Sequence, residues 1–287
     1  MHRSLNSFTL LYRHCKSAGL GLVVLLAMVF PLAVNAAPKS ELWAFWQAEG
    51  ETKEDIDHSA WQGLLDKYLD ADHPSGIHRF DYQAVSTNDS AKRALNDYLS
   101  TLQALDPREY SKATQMAYWV NLYNVLTVQR VLADYPVSSI TKLGGGFFSR
   151  GPWDEQLANV AGKSLSLNDI EHRILRPIWK DDRIHFAVNC ASLGCPNLSA
   201  KAYTSDSIEV LLDSGAKDYL AHERGAVFDE NTLVLSKIFD WYQQDFGNSE
   251  SQMLATIAKY APKNKAARIQ KHSGRIKYRY DWALNKP

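Results

Sequence analysis

The chain has 287 residues, 45% of them hydrophobic and 22% charged, the composition of a globular protein long enough to bury a sizeable core. Its formal net charge is +0 at pH 7, which excludes the basic surface expected of a nucleic-acid binder. The zero hides a split. Residues 1–36 hold Arg3, Arg13 and Lys16 and no Asp or Glu, so three of the 32 basic residues sit there and 29 remain against 32 acidic ones.

Those three cations precede an apolar run from Leu20 to Leu32 and the small-residue string Val34-Asn35-Ala36-Ala37. A basic start, an apolar middle and small residues before a cut describe a secretory signal peptide. Cleavage is expected after Ala36, giving a periplasmic or secreted protein. The apolar run falls short of the ~20 residues that span a bilayer, and Pro31 interrupts it, so no stable membrane anchor is expected after cleavage. Cys15 leaves with the leader, and the exported part keeps Cys190 and Cys195. A bridge between them is open on sequence grounds, but it closes only a short loop and adds little to a core of this size.

Residues 37–79 read as an N-terminal helical extension, with Trp61, Leu64, Leu65 and Tyr68 at helical spacing. Gly76 breaks the pattern and Ile77 to Val85 reads as extended. A helix is expected from Ser90 to about Leu105, ended by Asp106-Pro107. The next, Ser111 to Asp134, is apolar almost all round and therefore predicted to be buried. Asn121 and Asn124 lie inside it, and each buried amide left unpaired costs about 1–3 kcal/mol. They either hold neighbouring loop backbone or line a site.

Gly144-Gly145-Gly146 gives a flexible corner, without the Lys-Ser/Thr that a phosphate loop requires. Leu157 to Leu167 alternates weakly around Gly162. Ser166 and Asp169 then suit the start of a helix LNDIEHRILRPIW, whose first two turns carry Glu171 and His172. In Arg183–Leu198, RIHFAVNCASLGCPNL, the alternation of Ile184, Phe186 and Val188 predicts a strand that ends at Cys190 and opens into a small-residue loop. A helix from Thr204 or Ser205 to Ala221 follows. Short strands are expected at Ala226–Phe228 and Thr232–Leu235, helices at Lys237–Phe246 and Ser251–Tyr260, and a last strand in IKYRYDWALNKP. No linker or repeat divides this part. A single α+β domain over residues 80–287 is expected, with helices packed on a small mixed or antiparallel sheet.

A thiol at the end of a strand, before a loop with free backbone N–H groups, is placed for nucleophilic chemistry or is a plain buried cysteine. Cys190, at the strand end, is preferred to Cys195. Among the histidines after residue 36, His185 lies five residues from Cys190 and would face the opposite side of a regular strand. Glu171 and His172, in the first turns of their helix, are placed to point across to Cys190. The Cys and His spacings match no zinc pattern, so no metal and no cofactor is expected.

The strings AYWVNLYNVLTV, LNDIEHRILR, RIHFAVNCASLGCPNL, WYQQDFG and YDWALN, in this order, resemble the domain-of-unknown-function family 547 (DUF547) over roughly Phe80 to Asn285. The resemblance implies a distant likeness to papain-like and transglutaminase-like cysteine enzymes, with Cys190 as nucleophile, His172 as base and Glu171 in support. In those enzymes the cysteine precedes the histidine, whereas here His172 comes first. The expected function is that of an exported cysteine-dependent hydrolase or acyltransferase acting on amide or thioester bonds of a peptide or small molecule. The alternative is a non-catalytic binding or assembly domain on the same fold.

Overall fold

Side-chain caps fix where the helices begin. In the computed structural model, which describes residues 38–52, 54–144 and 151–287, Asn88 Oδ1 accepts from the Ser90 and Ala91 amides and opens helix Asp89–Ala104. Asp81 Oδ1 accepts from Ala84 N and opens Tyr82–Ser86. The sequence there was expected to be extended, and only Arg79–Phe80 is. Ser111 accepts from Thr114 N to open the longest helix, Lys112–Ala133. The leader expected at 1–36 and the corner expected at Gly145-Gly146 lie outside the described residues. Among those described, no helix is long and apolar enough to cross a membrane.

Every residue of the central helix from Thr114 to Val128 is buried. It is the axis of the larger of two apolar clusters, which also takes in Trp46, Trp61 and Leu65 from the first part of the chain and Ile170, Ile174 and Ile184 from later parts. Trp46 and Trp119 meet edge to face at 4.9 Å. The smaller cluster gathers Phe186, Tyr219, Leu235, Phe239, Phe246 and Ile257. The fold is a single α+β domain with few strands. Ala158–Val160 and Lys163–Leu165 form a hairpin, and Leu69–Asp70 pairs with Arg79–Phe80. Ala226–Asp229, Thr232–Ser236 and Ile276–Arg279 form a mixed sheet, antiparallel then parallel.

Two further expectations need correction, and one helix was not expected. Ile184 to Cys190 is not a strand: Asp182–Phe186 is a 3-10 turn, capped by Asp181 Oδ1 on Arg183 N at 2.9 Å. The alternation misled because every residue from Ile184 to Asn189 is buried, so no wet face gives the period meaning. The helix at Lys237–Phe246 is two short ones, Ile238–Trp241 and Gln243–Phe246, divided at Tyr242. Lys263–Gln270, unassigned from sequence, is a helix.

Candidate active site

The two amides of the central helix act as surrogate peptide groups. Asn121 Nδ2 donates to Tyr203 O at 2.7 Å and its Oδ1 accepts from Tyr203 N at 3.1 Å. Asn124 Nδ2 donates to Ala187 O at 3.0 Å and its Oδ1 accepts from Asn189 N at 2.8 Å. Each thus satisfies irregular backbone that has no strand to pair with. Of the two, Asn124 holds the cysteine loop.

That loop is built from its own polar groups. Asn189 Oδ1 accepts from Ala191 N at 2.8 Å, and its Nδ2 donates to Pro196 O at 2.7 Å. Ala191, immediately after Cys190, takes a left-handed conformation with φ 58°, uncommon for a residue with a Cβ. The far side is tied down by Arg224, which donates to Leu193 O at 3.0 Å and Asn197 Oδ1 at 2.6 Å. The C-terminal segment is laid along the near side: Leu193 N donates to Ala283 O, Gly194 N to Asp281 O and Asn285 N to Ala191 O. Gly194 is required there, because a Cβ would stand 2.7 Å from Asp281 N.

This strap brings Tyr280 to the thiol. Cys190 Sγ lies 3.0 Å from Tyr280 Oη and 3.2 Å from Ser192 Oγ, and Ser192 Oγ donates to Tyr280 Oη at 3.1 Å. The phenol proton is then free to face the sulfur. Burial pushes the Tyr280 phenol well above its ordinary pKa, so it stays protonated and able to donate. Cys195 Sγ accepts from Cys190 N at 3.0 Å. Burial opposes ionisation of Cys190, yet the hydrogen bonds of Cys195, Ser192 and Tyr280 bring its pKa below the usual thiol value. Burial, and then the neighbouring Cys190, raise Cys195 well above it. Cys190 is half-buried and Cys195 buried, and both are free thiols.

Glu171 and His172 belong to a second cluster. Ser166 and Asp169 cap their helix reciprocally: Asp169 N donates to Ser166 Oγ at 3.1 Å, and Ser166 N to Asp169 Oδ2 at 3.0 Å. The helix is wound as a π-helix over Asp169–Leu175. Its buried Glu171 lies 3.7 Å from His185 Nδ1, too far for a hydrogen bond but close enough for ion pairing. His185 Nε2 meets Asp245 Oδ2 at 2.7 Å, and Arg176 Nε donates to the same oxygen at 2.6 Å. Tyr242 is stacked on His185 with ring centroids 4.2 Å apart. Burial works against the carboxylate of Glu171, but the nearby His172, His185 and Arg176 overcome it and lower its pKa to about 2. Burial likewise opposes the His185 imidazolium, which Asp245 and Glu171 restore, raising its pKa.

The structure therefore brings Glu171 and His172 together, at 3.9 Å, but hands His172 a different partner from the expected one. His172 Nδ1 meets Arg176 Nη1 at 2.9 Å. A guanidinium only donates, so Nδ1 is the acceptor and the neutral ring carries its proton on Nε2. Burial lowers the pKa of His172, which keeps it neutral near pH 7. Among the described residues, no histidine hydrogen-bonds Cys190. The two clusters are nonetheless neighbours: Glu171 and Cys190 both act on the buried phenols of Tyr123 and Tyr242, and the Glu171 charge opposes ionisation of Cys190.

Sequence reasoning missed Tyr280, Ser192, Asn189, Arg176 and Asp245, and set His185 aside on the strength of a strand that does not exist. Two signals were there to be used: Tyr280 and Asp245 lie beside or within the strings YDWALN and WYQQDFG. Among the described residues, no group of three or more Cys, His, Asp or Glu side chains is placed to hold a metal.

Residues 107–220 match the family model described as "Protein of unknown function, DUF547". The match includes the central helix, the helix that carries Glu171 and His172, and the cysteine loop, and stops before Asp245 and Tyr280. No curated protein and no solved structure matches the chain.

Proposed function

We propose that this chain, a DUF547 protein by its residues 107–220, is an exported thiol enzyme that transfers acyl groups from amide or thioester bonds through Cys190. The observation that carries the reading is one half-buried sulfur with Tyr280 Oη 3.0 Å away as its donor, Ser192 Oγ 3.2 Å away and donating to that phenol, and Asn189 holding the turn through the Ala191 amide. A thiolate held in this way attacks the carbonyl carbon, forms a thioester with the enzyme and expels the amine or thiol. Water or another acceptor then takes the acyl group and returns the thiolate. Cys190 is the catalytic residue. Glu171 and His172 belong to the neighbouring cluster and reach the thiol only through its electrostatics, where the Glu171 charge opposes ionisation of Cys190, while Asn124 holds the loop and Asn121 anchors the chain at Tyr203. The exported location rests on the leader-like residues 1–36. N-terminal sequencing of the secreted protein tests it, with Ala37 as the expected first residue.

The non-catalytic alternative is favoured by one observation, the engagement of His172 by Arg176 rather than by the thiol. Alkylation of the reduced protein as a function of pH separates the two readings. For a thiol enzyme the wild-type profile has its midpoint below the ordinary thiol pKa of about 8.5, Cys190→Ala abolishes the fast reaction, and Cys195→Ser preserves it. His172→Ala moves the midpoint if the imidazole supports the thiolate through the network. A wild-type midpoint at the ordinary value, indifferent to His172→Ala, rejects the enzyme and leaves a binding domain.

A further inference from the structure

In the proposed acyl transfer only the Cys190 sulfur forms a bond, yet the Cys195 sulfur is turned toward Cys190. The turn that does this is closed by Cys195 N donating to Ser192 O at 3.1 Å. It places Cys195 Sγ 3.0 Å from the Cys190 amide, so the second thiol lies against the backbone of the first. The two differ in access: Cys190 reaches solvent and Cys195 is 3% exposed. A half-buried thiol with a hydrogen-bond donor, Tyr280, at its sulfur and a sheltered thiol beside it is the arrangement of an attacking and a resolving cysteine.

From this geometry we infer that Cys190 and Cys195 form a hydroperoxide-driven thiol–disulfide couple. The Cys190 thiolate attacks one oxygen of a hydroperoxide, the O–O bond breaks, and the departing alkoxide or hydroxide takes a proton from solvent. Cys190 is left as a sulfenic acid, oxidised by two electrons, and the hydroperoxide is reduced to an alcohol or water. Cys195 sulfur then attacks Cys190 sulfur, and the sulfenic oxygen leaves as water with the Cys195 proton. The resulting disulfide draws the Cys190 sulfur away from Tyr280 and Ser192, so it switches off any nucleophilic work of that sulfur. An external dithiol reverses it by exchange. The couple needs a reactive Cys190 but no acyl chemistry.

The test uses the reduced full chain, treated with hydrogen peroxide in the presence or absence of dimedone and read by mass spectrometry. Wild type is expected to lose both alkylatable thiols together, to lose two hydrogen atoms within a monomer, and to recover on addition of dithiothreitol. Cys195→Ser is expected to accumulate a dimedone adduct at Cys190 in place of the disulfide. In Cys190→Ser, Cys195 stays a free thiol. Wild type that keeps both thiols, that over-oxidises Cys190 with Cys195 still reduced, or that cross-links only between chains overturns the proposal. No acyl substrate is present, so a lowered alkylation midpoint without an intramolecular disulfide overturns the couple alone, and a disulfide formed by a protein that transfers no acyl group overturns the acyl-transfer reading alone.

Discussion

The Cys190 thiol is governed by what touches its sulfur, and Tyr280 is the partner that substitution can remove most cleanly. Tyr280→Phe keeps the ring against Trp241 and Trp282, with centroids at 4.9 and 4.6 Å, and deletes only the hydroxyl. Loss of one hydrogen bond to a charged sulfur is expected to slow alkylation at pH 7 roughly tenfold and to move the midpoint upward. Glu171 carries a different signature. Its pKa in the fold is about 2 against an ordinary 4.5, so its contribution to stability is full above pH 4.5 and is lost as pH falls toward 2. His185 runs the other way: its raised pKa gives stability that is full below 6.5 and is lost as pH rises through the raised value. Denaturant midpoints of wild type are expected to drop on acidification below pH 4.5, and Glu171→Gln to flatten that drop. Cys190 and Glu171 were legible in the sequence because their neighbours punctuate the backbone, Gly and Pro in one case and a helix cap in the other. Tyr280 was not, because an aromatic in an alternating tail looks the same whether it packs in a sheet or donates to a sulfur.

The central helix offers a controlled pair at the level of secondary structure. Asn121→Ala strands the N–H and C=O of Tyr203, and Asn124→Ala strands Asn189 N and Ala187 O. Each stranded buried group costs about 1–3 kcal/mol, so both variants are expected to be clearly destabilised in urea unfolding. Only Asn124→Ala should also alter the alkylation rate of Cys190, since only that amide holds the loop. The buried helix and its two amides could be read directly, because a polar residue in an apolar run must find a partner. Their targets could not, since Tyr203 lies 82 residues from Asn121 and nothing local announces the meeting. The segment from Ile184 to Asn189 shows the converse failure. Its period-2 pattern was real, but the 3-10 turn sends Phe186 into one apolar cluster and Ile184 and Ala187 into the other, so both sides are dry.

Across the whole molecule, the α+β class followed from the order and spacing of the elements, while the choice between a mixed and an antiparallel sheet and the pairing of the C-terminal segment with the cysteine loop did not. That pairing depends on close approach at Gly194, where a Cβ would meet Asp281 N at 2.7 Å and Asp281 O at 2.9 Å. Gly194→Ala is expected to cost about 1–3 kcal/mol by overpacking. It should also raise the alkylation midpoint of Cys190 in the same direction as Tyr280→Phe, although the phenol is intact. Thermal melts and alkylation profiles on the same preparation check both effects. A destabilised Gly194→Ala with a wild-type midpoint would separate the strap from the thiol.

The strap also sets an order of events in the life of the chain. Tyr280 lies 90 residues downstream of Cys190, and Asn285 caps the loop through Ala191 O while its side chain accepts from Tyr82 at 2.8 Å. During synthesis the sulfur emerges long before the groups that tune it. Until residues 280–285 have been made and docked, Cys190 lacks these partners and is expected to react with electrophiles no faster than a free cysteine of pKa about 8.5. If Cys190 is the nucleophile proposed above, its reactivity is acquired late, and chains clipped before residue 280 are expected to lack it.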